Sequence, residues 1–332
     1  MAATIRDIKN KTGLSLATIS KYLNGGNVLP ENRELIEAAI EELHYEVNEI
    51  ARGLVTNKTR TIGVIVFSIQ SLFNGTLLHH IGEYFRKRGY GLIICDSCND
   101  EQTEADNVRF LISKKVDGII VIPVSRTVGF LNPAKSRNIP VVLLDRSVEG
   151  AEYDCVRISN RDVAKEAVKH LISKNHKKIA VLFSETEYTG VERYNGFMDA
   201  MNEAGLEVPE QFCKRGFHSI EHGYNGMREI LALEERPTAV FMSNYEVTLG
   251  AVMALNESKI RCPDDISLMG FDNLLLAHLV EPEICLVVQP MKEMGEKAAE
   301  MLLHRIDNKN TGATMEVILK TRIEEGNSVK EL

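Results

Sequence analysis

The chain has 332 residues, of which 44% are hydrophobic and 26% charged, and its formal net charge is −8. This length and composition are those of a globular protein of about two domains, which excludes a disordered chain, a collagen and a coiled-coil rod. The longest apolar runs, Gly118 to Val124 and Pro140 to Leu144, are too short for a membrane helix. The polar N-terminus lacks the apolar core of a secretory signal, so we expect a cytoplasmic protein.

The first fifty-odd residues contain no strand signal and predict three helices. Thr4 begins the first helix as a cap, and Gly13 ends it. Ser15 begins a second helix, and Pro30 begins a third that extends to His44. Two short helices joined by a tight turn, with a third helix supporting them, are typical of a helix-turn-helix unit.

Charge is unevenly distributed over these residues. Residues 1–30 contain four basic residues and one acidic residue, residues 31–49 contain seven glutamates and one arginine, and residues 50–60 contain three basic residues and no acid. Two basic segments on either side of an acidic helix suit a small module that contacts phosphates at two places. The charge alone does not reach the basic balance that is typical of a DNA-binding domain.

After Arg60, short apolar runs alternate with amphipathic stretches, which predicts parallel sheets with helices on both faces. The predicted strands are Ile62–Phe67, Gly91–Cys95, Gly118–Ile122, Val141–Asp145, Cys155–Ser159, Ile179–Phe183, Thr238–Ser243, Ser267–Phe271 and Ile284–Val288. Examples of the predicted helices are Leu77–Arg88, Ala164–Ile172, Val191–Ala204, Tyr224–Leu233 and Met294–Ile306.

The strand pattern repeats weakly along this part of the chain. The segment from Ile139 to Asp145 (IPVVLLD) resembles the segment from Ile266 to Asp272 (ISLMGFD). We therefore expect two similar α/β lobes in tandem. The carboxyl ends of the strands of each lobe would face a crevice, where open α/β sheets bind ligands and which hinge motion can close.

Motifs along the whole chain resemble the LacI/GalR family of bacterial transcription regulators. They are residues 4–24 (TIRDIKNKTGLSLATISKYLN), 38–45 (AAIEELHY), 48–54 (NEIARGL), 61–64 (TIGV), 115–121 (KVDGIIV), 139–146 (IPVVLLDR), 192–197 (ERYNGF), 269–272 (MGFD), 289–290 (QP) and 294–295 (MG).

The resemblance implies an all-α helix-turn-helix headpiece at residues 1–46 and a hinge helix and linker at 47–60. It implies an effector-binding core at 61–332, built from two doubly wound parallel-sheet lobes as in type I periplasmic binding proteins. The N-lobe is expected at about 61–159 and 290–320, and the C-lobe at about 160–289.

In such a headpiece the second helix lies in the major groove, with its first turn against the base edges. Leu16 and Ala17 carry no side-chain donor or acceptor, so they can contact only thymine methyl groups. The alternatives are that Ser15 is only a helix cap and that Leu16 is buried. The resemblance implies phosphate contacts by Ser15, Thr18, Ser20 and Asn24 and a base or phosphate contact by Lys21, and Thr4 is assigned to the same DNA-binding set.

Residues 48–60 resemble the hinge segment of the family, which becomes helical only on DNA. Leu54 matches the leucine that wedges into the minor groove, Ala51 the small residue beside it, and Asn48 the start of the segment. Gly53 weakens a helix by up to about 1 kcal/mol relative to alanine, which suits a helix that forms only in the complex. Val47 stands where the family usually has proline, and a flexible linker is the alternative.

Residues at the predicted strand ends match the effector pocket of the family. Carboxylates, a guanidinium and an aromatic face suit a hydroxyl-rich ligand such as a sugar or a sugar derivative. A pair of arginines also suits an anionic sugar acid or sugar phosphate. Tyr245 stands where the family often has aspartate, which counts against a plain neutral sugar. The predicted effector-binding residues are Ser68, Phe73, Asp145, Arg146, Arg193, Asn244, Asp272 and Gln289.

Two other motifs suggest metal or redox chemistry. The segment from His218 to His222 fits H-x-x-E-H, an inverted zinc-protease pattern, although a loop-to-helix junction capped by Ser219 is the favoured interpretation. Cys95 and Cys98 form a single C-x-x-C. Because no second pair is present for zinc, we expect all six cysteines to be free thiols and no metal or cofactor to be bound.

The sequence therefore predicts a DNA-binding repressor that is not an enzyme. We expect a homodimer on a pseudo-palindromic operator, because one small headpiece makes few contacts. A small-molecule effector would control its affinity for DNA. The alternatives are a solute-binding protein of the same architecture, which would need an export signal, a zinc enzyme that uses the cleft, and control by a protein corepressor.

Overall fold

The computed structural model describes residues 3–45, 58–272, 277–308 and 311–332. The described residues form two compact units, which divide between Arg60 and Thr61.

The first unit consists of helices α1 (Ile5–Thr12), α2 (Leu16–Leu23) and α3 (Pro30–Leu43). Its core is formed by Ile8, Ile19, Ile36 and Ala39, which are all buried. Gly13 joins α1 to α2 with φ at +71°, a left-handed conformation that glycine adopts without steric cost. The predicted helix-turn-helix arrangement is confirmed.

The second unit contains two six-stranded sheets. The strands are β1 (Thr61–Val66), β2 (Gly91–Asp96), β3 (Gly118–Val121), β4 (Val141–Leu144), β5 (Asp154–Ile158), β6 (Ile179–Ser184), β7 (Cys213–Gly216), β8 (Ala239–Met242), β9 (Ser267–Phe271), β10 (Cys285–Val288), β11 (Glu316–Leu319) and β12 (Arg322–Glu324). The helices are α4 (Leu72–Arg86), α5 (Glu101–Ser113), α6 (Asn132–Lys135), α7 (Asn160–Ser173), α8 (Tyr188–Glu203), α9 (Ile220–Leu231), α10 (Tyr245–Asn256) and α11 (Met291–Asp307).

The two sheets repeat one strand order. The first sheet runs β2-β1-β3-β4-β5-β11, with all pairs parallel. The second runs β7-β6-β8-β9-β10-β12, parallel except for the antiparallel pair β10–β12. The predicted tandem of similar α/β lobes is confirmed.

Hydrophobic residues cover both faces of each sheet, as a doubly wound fold requires. One cluster contains side chains of both sheets, such as Val64 of β1 and Val181 of β6. A second cluster belongs to the first sheet alone and includes Ile119. A third belongs to the second sheet alone and includes Val240.

The structure differs from the sequence prediction mainly at edges and ends. Strands β7, β11 and β12 were not predicted, because each lies at a sheet edge and consists mainly of exposed and part-buried residues instead of a buried apolar run. Helix α4 begins at Leu72 and not at Leu77, because its first turn includes the exposed residues Leu72 and Gly75.

The six cysteines are free thiols, as predicted. Within the described parts of the chain, no helix combines the length and the apolar character that crossing a membrane needs.

Candidate functional site

The first turn of α2 presents an apolar surface to solvent. Ser15 caps the helix, because its Oγ accepts a hydrogen bond from the Thr18 N–H (3.1 Å) and lies 2.8 Å from the Thr18 hydroxyl. Leu16 is 39% exposed and Ala17 is also exposed. The alternative that Leu16 is buried is therefore wrong, and both side chains are accessible to a base edge.

The second half of α2 carries polar side chains. The Asn24 amide donates to the Ser20 carbonyl (2.8 Å) and lies 3.3 Å from the Ser20 hydroxyl. Lys21 is exposed, and its carbonyl accepts a hydrogen bond from the Gly26 N–H (2.8 Å). A Cβ at Gly26 would lie 2.7 Å from Lys21 Cγ, so the turn after α2 requires glycine there.

Thr4 has a capping role in this unit. Its N–H and its hydroxyl both donate to Asp7 Oδ2, at 2.8 and 2.7 Å. The two hydrogen bonds lower the pKa of the Asp7 carboxyl. The capping interaction predicted at the start of α1 is therefore present.

The acidic helix α3 neutralises charge within the same unit. Glu42 pairs with Lys11, and Glu37 accepts a hydrogen bond from the Tyr22 hydroxyl (2.7 Å). Glu37 also lies 3.5 Å from Arg33. Some glutamates of α3 are thus used inside the unit, which reduces the negative charge that they present to a polyanion. The hinge residues Asn48, Ala51 and Leu54 lie outside the described residues.

A cavity of about 490 Å³ lies between the carboxyl ends of the two sheets. Residues following β1, β2, β4 and β6 to β10 line it, which is the location expected for a ligand of open α/β sheets. All eight predicted effector-binding residues are among the lining residues. Two of them, Ser68 and Phe73, come from the loop after β1 and from the start of α4.

Asp145 and Asp272 occupy equivalent positions in the two lobes. Each follows the last residue of a buried strand, and each has a positive φ, +69° and +60° respectively. Their N–H groups donate to Val156 O (2.8 Å) and Val287 O (2.7 Å). A left-handed conformation is uncommon outside glycine and tends to persist at functional positions. Here it occurs twice, at carboxylates that line the cavity.

The cavity contains acceptor atoms that the protein leaves unpaired. Asp145 Oδ1, Asp272 Oδ1 and Gln289 Oε1 are buried and have no hydrogen-bond partner within the described part of the chain. The second polar atoms of Asp272 and Gln289 are already paired with each other, because Gln289 Nε2 donates a hydrogen bond to Asp272 Oδ2 (2.8 Å). Buried polar atoms without partners are costly, so these three oxygens are suited to donors of a bound molecule.

The two arginines of the cavity are already engaged. Arg193 is 3% exposed, donates to Asn160 Oδ1 (2.8 Å) and Ser243 O (2.6 Å), and lies 3.6 Å from the centre of the Phe271 ring. Arg146 lies 3.3 Å from both Asp145 Oδ2 and Pro123 O. These contacts position the guanidinium groups and use two of the five N–H donors of each arginine, so the remaining donors can serve a ligand.

Burial shifts the protonation of the cavity carboxyls. It raises the pKa of Asp272 to about 6, although Arg193 and the Gln289 amide oppose the shift. Burial raises the pKa of Glu246 to about 7 and also raises that of Asp145. The same burial lowers the pKa of the Arg193 guanidinium. The cavity therefore disfavours charge unless a ligand stabilises it.

Among the cavity-lining residues that were not predicted to bind a ligand, three carry polar or ionisable groups of particular interest: Tyr245, Glu246 and His218. The Tyr245 hydroxyl accepts a hydrogen bond from the Leu72 N–H (2.9 Å), which joins the two lobes across the cavity. Glu246 and His218 line the same cavity. Tyr245 and Glu246 could have been found from the sequence, because they directly follow the predicted residue Asn244. Asn244 Oδ1 caps α10 by accepting a hydrogen bond from the Val247 N–H (2.9 Å).

The H-x-x-E-H segment is a loop-to-helix junction, as the favoured interpretation held. Ser219 caps α9, because its Oγ accepts a hydrogen bond from the His222 N–H (3.1 Å). His218 faces the cavity, where burial and the neighbouring Arg193 and Arg146 hold its pKa well below the ordinary value. Within the described residues, His218 and His222 do not belong to a group of three potential metal ligands.

Known proteins resemble the chain over nearly its full length. A family model described as "Bacterial regulatory proteins, lacI family" matches residues 4–48, and one described as "Periplasmic binding protein-like domain" matches residues 168–329. The HTH-type transcriptional repressors PurR of Pasteurella multocida (strain Pm70) and Vibrio atlanticus (strain LGP32) are each 34% identical to it over 311 residues, which cover 93% of both chains.

Solved structures share the fold. The lac repressor dimer bound to operator and the anti-inducer ONPF has a TM-score of 0.89 at 21% identity, and the match covers 99% of this chain and 100% of that one. A complex of the transcriptional regulator CelR with cellobiose has a TM-score of 0.73 at 25% identity and covers 98% and 99% of the two chains. The predicted fold class, a helix-turn-helix headpiece with a periplasmic-binding-protein-like core, is confirmed.

Proposed function

The chain belongs to the LacI family of bacterial regulatory proteins and is a DNA-binding transcriptional repressor, and we propose that a small molecule bound between its two lobes controls its affinity for an operator. The observation that carries this proposal is the cavity itself. Eight residues predicted from sequence line it together, and three buried oxygens in it lack partners within the described part of the chain.

The chemistry of the cavity favours an effector that is rich in hydrogen-bond donors. Asp145, Asp272 and Gln289 offer unpaired buried acceptors, and Arg146 and Arg193 each donate two of their five N–H groups to the protein. A sugar or a sugar derivative supplies several hydroxyl donors and an apolar ring face for Phe73. A sugar acid or sugar phosphate fits less well, because its charge would face the buried carboxyls.

The effector would act by changing the equilibrium between two arrangements of the lobes. Hydrogen bonds already join the lobes, among them those from the Leu72 N–H to the Tyr245 hydroxyl (2.9 Å) and from Arg126 Nη2 to Thr186 O (2.8 Å). A ligand between the lobes shifts the equilibrium only through its different affinity for the two arrangements, typically about 1–3 kcal/mol of coupling.

The regulator would act as a homodimer in the cytoplasm, where its operator DNA is found. A two-fold operator lets two headpieces contribute, and each needs the other because a single unit of three helices reads few base pairs.

We assign DNA contacts to Thr4, Ser15, Leu16, Ala17, Thr18, Ser20, Lys21 and Asn24, and to Asn48, Ala51 and Leu54 of the hinge. The relatives are repressors and not enzymes, so we assign no catalytic residue and no cofactor.

The experiment that tests this proposal selects operator DNA from genomic fragments with the purified protein at moderate salt. The selected duplex is then titrated in the presence of neutral sugars, sugar acids, sugar phosphates and nucleobases, and the same panel is screened by thermal shift. We expect an inverted-repeat site and one class of donor-rich effector that changes operator affinity. Equal binding to random duplex, with and without every compound, would contradict the proposal.

The hinge assignment predicts the effect of Leu54→Ala. If the leucine side chain wedges into the minor groove, its truncation removes roughly 1.5–3 kcal/mol of apolar burial in the complex, which corresponds to about a 10–150-fold loss of operator affinity. Fluorescence anisotropy with a labelled operator measures this loss. The thermal shift caused by the effector is the control and should be unchanged. Unaltered operator affinity would reject the wedge.

The buried carboxyls predict a pH dependence of stability. Glu246 and Asp272 have raised pKa values of about 7 and about 6, so between pH 5 and 8 these two groups hold more protons in the native protein than in the unfolded chain. Their contribution to the free energy of unfolding of the effector-free protein should therefore fall as the pH rises through this range, by roughly 1–3 kcal/mol. Burial lowers the pKa values of His176, His218 and His222, which contribute the opposite trend, so the carboxyl contribution is read from the difference between variants.

Chemical denaturation at pH 5, 6.5 and 8 measures that trend. Glu246→Gln cannot ionise, so the free energy of unfolding of the unaltered protein relative to this variant should fall as the pH rises. A matched surface variant is Glu235→Gln, which removes an exposed carboxylate paired with Lys178 and should show the same pH dependence as the unaltered protein. A pH dependence that is identical in all three proteins would show that Glu246 does not contribute.

A further inference from the structure

Helix α4 carries a cluster of three potential metal ligands beside its contact with α11, and none of the three lines the effector cavity. The cluster consists of His79, His80 and Glu83, and their ligand atoms all lie within 4.8 Å of one another. The two imidazole rings have centroids 5.1 Å apart and planes at 73°. Within residues 3–45, 58–272, 277–308 and 311–332, no other group of three histidine, cysteine or acidic ligands comes this close together.

Helix geometry explains why the three side chains converge. At about 100° per residue, Glu83 lies between the two histidines around the helix axis and one turn further along it. Side chains on a helix tilt toward its N-terminus, so the Glu83 carboxylate leans back over both rings. Gly295 of α11 allows that helix to approach, since a Cβ there would lie 3.2 Å from His80 Cβ. The backbone that carries the cluster is therefore held by packing against α11.

One ring of the cluster lacks a partner in the protein. His80 Nδ1 is shielded from solvent and has no hydrogen-bond partner within the described residues. An unpaired buried ring nitrogen costs free energy. Neutral imidazole nitrogens are also the commonest protein ligands of transition metals.

The chemical type of the three ligand atoms indicates which class of metal ion would bind. Two imidazole nitrogens and one carboxylate are typical ligands of Zn²⁺, Co²⁺ and Ni²⁺, whereas Ca²⁺ and Mg²⁺ prefer oxygen ligands alone. Three protein ligands leave a coordination position for water. We propose that His79, His80 and Glu83 form a binding site for a divalent transition-metal ion, with Zn²⁺ as the best fit.

Lys87 gives the proposal a distinctive consequence. Its Nζ lies 2.9 Å from Glu83 Oε1, so the lysine competes with a metal ion for the carboxylate. Loss of a ligand should weaken metal binding, whereas loss of this lysine should strengthen it. Its side chain is 64% exposed, so its replacement leaves the packing of α4 intact.

The test uses the full-length protein, freed of metal with a chelator and then titrated with Co²⁺ alone and with Zn²⁺ alone. Calorimetry gives the stoichiometry, and the visible absorption of Co²⁺ reports its coordination. We expect one ion per chain. His79→Gln and Glu83→Gln should each weaken binding by at least the roughly 10–100-fold that loss of a supporting ligand contact causes, and Lys87→Gln should tighten it severalfold.

Two further variants separate this site from other histidines. His304→Gln removes an exposed histidine of α11 and should leave binding unchanged. His222→Gln tests the H-x-x-E-H segment and should also leave it unchanged. Metal affinity that survives in His79→Gln and Glu83→Gln, that disappears in His222→Gln, or that is absent at millimolar Co²⁺ would overturn the proposal.

Discussion

Ile19→Ala is expected to abolish tight operator binding while leaving the effector cavity intact. Ile19 is fully buried in a small core, to which the described residues of the unit contribute four buried side chains. Truncation of a buried isoleucine to alanine costs roughly 2–5 kcal/mol. A unit of this size has little more stability than that to lose. A large fraction of the headpiece should therefore be unfolded, with operator affinity falling by roughly 10–100-fold or more.

The matched control for this variant is Leu35→Ala. Leu35 lies on α3 of the same unit and is 49% exposed, so its truncation removes a similar side chain without opening a cavity in the core. Anisotropy titrations with the selected operator, together with the thermal shift caused by the effector, compare the two variants. If Ile19→Ala bound the operator as tightly as Leu35→Ala does, the headpiece would not be the unit that reads DNA.

The helices and strands that were predicted correctly are those whose burial is indicated by their own amino-acid composition. Strands such as β9 are buried on both faces, so they appear as apolar runs bounded by polar residues. Strand β12 could not be predicted in this way, because Arg322 and Glu324 are polar and its partner β10 lies more than thirty residues earlier in the chain. Its place in the sheet depends on its pairing with β10, which the pattern of neighbouring residues does not indicate.

The same distinction applies to the candidate site. Asp145 and Asp272 were predicted because each directly follows a buried strand. The engagement of Arg193 was not predictable, since its partners Asn160 and Ser243 are 33 and 50 residues away. Residues at strand ends can be assigned to a crevice from sequence, but which of their atoms remain available to a ligand follows only from the packing of both lobes.

Asp272→Asn is expected to remove the response to the effector while preserving operator affinity in its absence. Asp272 presents one unpaired buried oxygen to the cavity and holds its other oxygen against Gln289. A hydrogen bond from the effector to that charged oxygen is worth about 1.5–3 kcal/mol, so effector affinity should fall roughly 10–150-fold. Asparagine tolerates the left-handed backbone of this position as aspartate does.

The stability of the same variant distinguishes a ligand contact from a structural role. Burial raises the pKa of Asp272 to about 6, so at pH 7.5 its charged form is a net cost to the folded protein, and an uncharged amide of the same shape relieves that cost. Asp272→Asn should therefore melt at the same temperature as the unaltered protein or higher. Asp264→Asn, which removes an exposed carboxylate paired with Arg261, should change neither property. A lowered melting temperature with an intact effector response would show that Asp272 supports the fold and not the ligand.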